Sequence, residues 1–108
     1  MLEGLLGSIS REKTLLFLVA RQEGYAREIA RFFNTGLDPI QKQLERLEFG
    51  GVVYGRPAGK TRLYSFNPRY PFLKELLALL EKALRVYPEE ERQKLTMVRR
   101  RPGRRRII

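Results

Sequence analysis

The side chains of this chain that could do chemistry are basic and amide groups rather than nucleophiles or metal ligands. The sequence contains no Cys and no His, which excludes disulfides, thiolate metal sites and Ser–His or Cys–His catalysis. Glu89, Glu90 and Glu91 form the one run of acidic residues, and three adjacent side chains cannot face one site on a helix. We therefore predict no catalytic site, no metal and no other cofactor.

The charge of the chain favours a polyanionic partner. Lys and Arg number 22 against 12 Asp and Glu, a formal net charge of +10 at pH 7. Residues 1–88 carry 14 of the basic and 9 of the acidic residues, so the body of the chain is basic without its C-terminal segment. Nucleic acid is the commonest partner of a small protein this basic.

Apolar spacing predicts the elements that must position these groups. A length of 108 residues suits one domain. Helical periodicity predicts four helices, over Arg11–Gln22, Tyr25–Phe33, Asp38–Phe49 and Pro71–Tyr87. Runs of β-branched and aromatic residues predict a hairpin with strands Val52–Arg56 and Thr61–Phe66, linked by Pro57–Lys60.

Local signals mark the ends of these helices. Ser10 and Asp38 are expected as N-caps, and Pro39 suits the first helical position because its missing N–H costs nothing there. Asn34 and Gly36, in the turn before the third helix, both tolerate a left-handed backbone. Two helices around such a turn form a helix-turn-helix pattern, and a hairpin directly after the second of them makes the pattern much more specific.

This order of elements resembles the winged-helix module of ArsR-type and MarR-type bacterial and archaeal regulators. The resemblance rests on Ile29-Ala30 in the second helix, Gln43–Glu48 and Gly51-Val52 at the end of the third, and Gly59 at the hairpin tip. The next segment, Tyr64–Leu80, is similar to small regulators associated with nucleotidyltransferase domains.

The resemblance implies a mostly helical α+β fold. It would be a winged helix-turn-helix, with a three-helix core, a two-stranded hairpin as the wing and an extra C-terminal helix for dimerisation. It also implies sequence-specific binding of double-stranded DNA and regulation of transcription, most often as a repressor.

Several polar residues are candidates for DNA contact under this interpretation. Gln41 and Lys42 lie near the start of the third helix, where recognition helices reach base edges, and can pair with adenine and guanine. The candidates are Thr35, Asp38, Gln41, Lys42, Glu45 and Arg46 at the third helix, Arg56, Lys60 and Arg62 on the hairpin, and Arg27 and Arg31 on the second helix.

Each group of candidates also has a plain structural interpretation. The third helix could present an ordinary solvated face, and the hairpin an ordinary solvated turn. Glu45 would repel phosphates, although it could accept from a cytosine amino group. Arg27 and Arg31 are close in sequence to Glu23 and Glu28, so a salt-bridged surface is an equal alternative.

The fourth helix carries more leucines than a small core can cover. Together with Leu2, Leu5 and Leu6 it predicts a homodimer interface, while the single-chain alternative is that the N-terminal segment folds back over this helix. The predicted organisation is an apolar segment over residues 1–9, a winged-helix domain over 10–88, and a basic, flexible tail over 89–108.

The C-terminal tail is predicted to bind phosphates without reading sequence. Six arginines in residues 99–106 would add salt-sensitive affinity. Whether they bind DNA, RNA or a protein stays open, and an anionic membrane surface would attract them too. The sequence shows neither a secretory signal nor an apolar run long enough to span a bilayer, so we expect a cytoplasmic protein.

Two other functions stay open at this stage. A winged helix can act as a protein-interaction module, because fold does not decide function. The similarity of the C-terminal helix to nucleotidyltransferase-associated regulators also allows an accessory subunit of a separately encoded nucleotidyltransferase.

Overall fold

The computed structural model describes residues 1–95. Its elements are α1 (Glu3–Leu6), α2 (Ile9–Arg21), β1 (Glu23–Tyr25), α3 (Ala26–Phe32), α4 (Leu37–Phe49), β2 (Val53–Ala58), β3 (Thr61–Phe66) and α5 (Leu73–Val86). Residues 89–95, which were predicted to belong to a flexible tail, are helical as well. The predicted arginine-rich tail at 99–106 lies outside the described residues.

Helix α2 lies at the centre of the core. Leu15, Leu16, Phe17 and Leu18 are consecutive and each at most 1% exposed, which means that α2 is covered on every side along this stretch. It packs against α1, α4, α5 and β1. Helices α3 and α4 complete the three-helix core with α2, and α5 lies against α2 through the fully buried Leu80.

The helix starts differ from the predicted ones by one or two residues. Ser8, not Ser10, caps α2, because its Oγ accepts a 2.9 Å hydrogen bond from the Arg11 amide. Gly36, not Asp38, is the N-cap of α4. Pro39 is then the third helical residue rather than the first, and it fits because the amides of the whole first turn have no partner inside a helix.

The turn between α3 and α4 is closed by Asn34. Asn34 has a φ of 55°, whereas Gly36 has a φ of −69°. Of the two residues expected to tolerate a left-handed backbone, Asn34 adopts it and Gly36 does not.

The sheet has three antiparallel strands in the order β1-β3-β2, one more than predicted. Strand β2 runs two residues further than expected, to Ala58, which pairs with Thr61 and leaves a two-residue turn at Gly59-Lys60. Pro57 is tolerated in β2 because β2 is an edge strand.

The missed strand, β1, covers the core beside Phe17. Gly24 is buried and pairs with Tyr64. A Cβ at Gly24 would lie 2.7 Å from Cε1 of Phe17, so the absence of a side chain lets β1 approach the ring closely.

The C-terminal part of the described chain packs back onto α2. Helix α5 begins two residues later than predicted, and Tyr87 and Pro88 follow it. Leu95 is 1% exposed, and its carbonyl accepts a 2.8 Å hydrogen bond from Nε of Arg21. Within residues 1–95, no helix is long and apolar enough to cross a membrane.

Candidate nucleic-acid interface

Helix α4 has one buried face and one open face. Ile40 and Leu44 are fully buried and Leu47 is 8% exposed, in agreement with their predicted spacing. The predicted contact residues on the other face are all exposed: Asp38, Gln41, Lys42, Glu45 and Arg46. Within the described part of the chain, none of these five side chains makes a hydrogen bond or an ion pair.

A buried amide that the sequence did not single out fixes α4 against α2. Gln43 is 7% exposed, and its Oε1 accepts a 2.9 Å hydrogen bond from Nε of Arg11. Nη1 of Arg11 donates to the Leu6 carbonyl at 2.8 Å. A glutamine at a core-facing position of an amphipathic helix was the available signal, since a buried amide must find a partner.

The three hairpin cations differ in their surroundings. Nη2 of Arg62 lies 2.8 Å from Oε2 of Glu48, and Nη2 of Arg56 lies 3.3 Å from Oε1 of Glu23. Lys60, at the exposed turn, has no such partner among residues 1–95. The Glu48 carboxylate raises the pKa of Arg62 above its already high ordinary value.

Known protein families give no match to the chain, and neither do curated proteins. Solved structures do. The homodimeric winged helix-turn-helix DNA-binding domain of Mb0332 from Mycobacterium bovis, a possible ArsR-family transcriptional regulator, is 26% identical with a TM-score of 0.56, over 72% of this chain and 69% of that one.

Two further structures are similar in fold. HlyU from Vibrio cholerae in its reduced form has 20% identity and a TM-score of 0.60, over 80% of this chain and 84% of its own. A double mutant of ZitR from Lactococcus lactis in apo form has 19% identity and a TM-score of 0.55, over 90% and 82%. The chain is a winged helix-turn-helix domain. Helices α3 and α4 form the helix-turn-helix, and β2 and β3 form the wing, as predicted.

The two arginines of the first helix of the helix-turn-helix are not salt-bridged in the described chain. Arg27 and Arg31 are exposed, and the acidic residues that could hold them have other partners. Glu23 pairs with Arg56, and Glu28 lies 3.9 Å from Arg21. Of the two interpretations of Arg27 and Arg31, the salt-bridged one does not describe this structure.

These two arginines lie next to the tip of the wing. They line a cleft of about 590 Å³ whose other walls include Arg21 and Thr61. Thr61 follows Lys60 directly, so the cleft brings the exposed cations of α3 to the side of the hairpin turn. The sequence did not predict this proximity.

Thr35 lies in the turn between α3 and α4. It is half-buried, and its amide donates to the Ala30 carbonyl at 2.9 Å. The backbone N–H is therefore engaged in closing α3, and the hydroxyl is the group left for a ligand.

Among the described residues, no cluster of three or more acidic side chains could hold a metal ion.

Proposed function

We propose that this winged helix-turn-helix domain is a sequence-specific regulator of transcription that binds double-stranded DNA. The observation that supports it most is the outer face of α4, which is polar, exposed and without partners in the described chain. A groove-binding helix needs such a face. The similar domain of Mb0332 is itself a DNA-binding domain, which supports the same proposal.

Base reading is assigned to the start of α4. Gln41 and Lys42 are exposed in its first turn and a half, and they can offer a bidentate amide to adenine and an ammonium to guanine. Glu45 and Arg46 lie one turn further along. Glu45 would accept from cytosine, and Arg46 would reach guanine or a phosphate.

Backbone contacts are assigned to the free cations at the edges of this face. Lys60 extends from the wing turn towards the flanking groove or backbone. Arg27 and Arg31 line a cleft with Thr61, the residue after Lys60, and the Thr35 hydroxyl lies at the turn before α4. Such contacts give affinity without sequence information and are weakened by salt.

The working unit is proposed to be a homodimer through α5 and the N-terminal segment. Phe72 and Val86 on and beside α5 are 63% and 60% exposed, and Leu5 and Ile9 near the N-terminus are 67% and 54% exposed. Four large apolar side chains exposed to this extent favour the presence of a protein partner that covers them. Mb0332 is homodimeric, and a two-fold protein matches a palindromic site.

A protein-interaction module is the second candidate. Phe49, the last residue of α4, is 96% exposed, and Tyr54 on the wing is 44% exposed. Two open aromatic rings next to the recognition helix would suit a protein surface. The proposed regulator and this alternative differ in whether duplex DNA is bound with sequence preference.

The deciding experiment measures binding to a duplex carrying the protein's own upstream region and to a random duplex, across a salt series. We expect a preference for the upstream region that falls several-fold in Gln41→Ala and Lys42→Ala. Lys74→Ala, which removes an exposed cation from the polar side of α5, is the matched control and should keep the preference. Equal competition by random DNA at every salt concentration would contradict the proposal.

The direction of regulation is a separate step. We propose repression, in which the bound dimer occludes a promoter. Transcription in vitro from the preferred duplex should fall as protein is added and recover in the presence of Lys42→Ala instead of wild type. A rise in transcript with added protein would make the protein an activator.

A further inference from the structure

The side chain of Arg62 lies across the wing and joins it to the end of α4. Its Nη2 donates to Oε2 of Glu48 at 2.8 Å and to the Gly55 carbonyl at 2.7 Å. The same Glu48 oxygen accepts from the Gly55 amide at 3.3 Å. One guanidinium and one carboxylate therefore connect α4, β2 and β3, and we call these three residues, Glu48, Gly55 and Arg62, the clasp.

The missing side chain of Gly55 makes room for the clasp. A Cβ at this position would lie 2.9 Å from Nε of Arg62 and 2.9 Å from Cε1 of Tyr64. Both distances are shorter than carbon and nitrogen atoms tolerate without a shift. The absence of a Cβ at this position of β2 leaves the space in which the Arg62 side chain lies over the strand and reaches Glu48.

The clasp occupies Nη2 of Arg62, one of the three guanidinium nitrogens that could donate to a phosphate. A guanidinium presents its N–H groups in a fixed plane, and here its Nη2 is held by two acceptors of its own chain. Lys60 differs, because its ammonium has no partner in the described chain. In the protein alone, Arg62 is therefore hydrogen-bonded within its own chain, whereas the Lys60 ammonium has no partner among residues 1–95.

We propose that Arg62 is a positioning residue, which sets the angle between the wing and the recognition helix, and that it is not a phosphate contact. The inference rests on the proposed DNA-binding function. The pair is exposed enough that it adds little to folding stability. Its effect is on geometry: with the clasp intact, the wing and the start of α4 meet one duplex in a single register.

The two possible roles of Glu48 predict different effects of Glu48→Gln on the preference for the upstream duplex. If Glu48 were an ordinary acidic residue near DNA, Glu48→Gln would tighten binding to every duplex, because a repulsive charge is lost. If Glu48 holds the clasp, Glu48→Gln loosens it, because the neutral amide oxygen binds the guanidinium less strongly than the carboxylate does. The preference for the upstream duplex then falls, although the protein has become more basic.

The test measures affinity for the upstream and random duplexes across a salt series with Arg62→Ala, Glu48→Gln, the double variant and Lys60→Ala as control. We expect Arg62→Ala to lower the preference about three- to tenfold with an unchanged salt slope. Lys60→Ala should weaken both duplexes similarly and reduce the slope by about 0.9. The double variant should lose no more preference than either single variant, because coupled residues are not additive.

Arg62→Lys and Gly55→Ala complete the set. Lys keeps the charge but cannot bridge two acceptors in a plane, and Ala at position 55 displaces the guanidinium without changing any charge. Both should lower the preference as Arg62→Ala does. Circular dichroism checks that each variant is folded, and faster hydrogen exchange of the Gly55 amide in Glu48→Gln reports loss of the clasp without DNA.

The outcomes separate the two proposals. A drop of the salt slope by about 0.9 in Arg62→Ala would make Arg62 a phosphate contact and overturn the clasp, while leaving the proposed function standing. An equal gain in affinity for both duplexes in Glu48→Gln, with the preference unchanged, would overturn it as well. A wild-type protein without any duplex preference would instead overturn the proposed function, and with it the role of Arg62 on DNA.

Discussion

The hydroxyl of Tyr87 donates a 2.8 Å hydrogen bond to Oε2 of Glu12, and this contact joins the end of α5 to the first turn of α2. Glu12 is 3% exposed, and its other oxygen accepts from the Leu2 amide at 2.9 Å. A carboxylate this deeply buried is stable only while its oxygens are paired. The Glu12 carboxylate of α2 therefore holds both the N-terminal segment, through Leu2, and the end of α5, through Tyr87.

Tyr87→Phe should destabilise the fold through Glu12. The ring is kept, so the loss is that of one hydrogen bond to a buried charged acceptor, and we expect the free energy of unfolding to fall by about 1–3 kcal/mol. Urea denaturation measures it. Tyr54→Phe removes a hydroxyl from an exposed ring of the wing and should change stability by less than about 0.5 kcal/mol; equal effects of the two variants would contradict the role of Glu12.

The same contact predicts how stability depends on alkaline pH. Burial, followed by the hydrogen bond to Glu12, raises the pKa of Tyr87. The unfolded chain then ionises this tyrosine at lower pH than the folded chain does, so the stabilisation is complete below pH 10 and is lost as pH rises above it. The difference in unfolding free energy between wild type and Tyr87→Phe should be constant from pH 7 to 9 and shrink above pH 10. A constant difference up to pH 11 would contradict the raised pKa.

Gly24→Ala tests the close approach of the missed strand to the core. The new methyl group would overlap Phe17, whose ring is fully buried and has little space to move, and overpacking of this kind costs about 1–3 kcal/mol. Gly4→Ala is the control, because a Cβ at Gly4 meets no atom within 4 Å. Thermal unfolding should place Gly24→Ala several degrees below wild type and Gly4→Ala at or above it.

Strand β1 illustrates what the sequence could not predict. It has three residues, one of them Gly24, and its partner β3 lies about 40 residues later, so neither periodicity nor composition marks it. The four predicted helices and the hairpin were predictable because the apolar residues of each recur at helical or strand spacing. Their ends moved by one or two residues, since Ser8 and Ser10 suit a cap equally well by type.

In the candidate site, too, some features could be predicted from the sequence and others could not. Exposure of Gln41, Lys42 and Lys60 follows from helical and hairpin geometry and could be predicted. The pairing of Arg62 with Glu48 and of Arg56 with Glu23 depends on strand register and on the packing of α4 against β2. The sequence identifies the cations on the wing, but only the assembled sheet determines which of them form ion pairs with acidic residues.

Removing the arginine-rich segment should separate affinity from preference. Residues 99–108 contain six arginines and no acidic residue, and each arginine that neutralises a phosphate adds about 0.9 to the salt slope. A variant without residues 99–108 should therefore bind all duplexes more weakly at low salt, with a slope smaller by up to about 5, and keep its preference for the upstream duplex. An unchanged slope would mean that this segment has another partner.

Val86→Lys should separate the two subunits of the proposed dimer. Val86 is 60% exposed near the end of α5, so a lysine there is tolerated by the single subunit and also suits the negative end of the helix dipole. In a two-fold dimer that buries this position, two lysines enter the interface, one from each subunit. Each charge must lose water to lie in an apolar contact, which destabilises the dimer. We expect the dimer dissociation constant to rise at least tenfold, by about 1.4 kcal/mol.

The control for this variant lies on the same helix. Ala78→Lys adds the same charge on the exposed, polar side of α5 and should leave the dimer intact. Sedimentation equilibrium gives the dissociation constants, and binding to a duplex with two half-sites gives the consequence for DNA. Val86→Lys should weaken binding to the two-half-site duplex more than to a single half-site, because only the former needs two linked subunits. Equal dissociation constants for the two lysine variants would exclude the Val86 side of α5 from the interface.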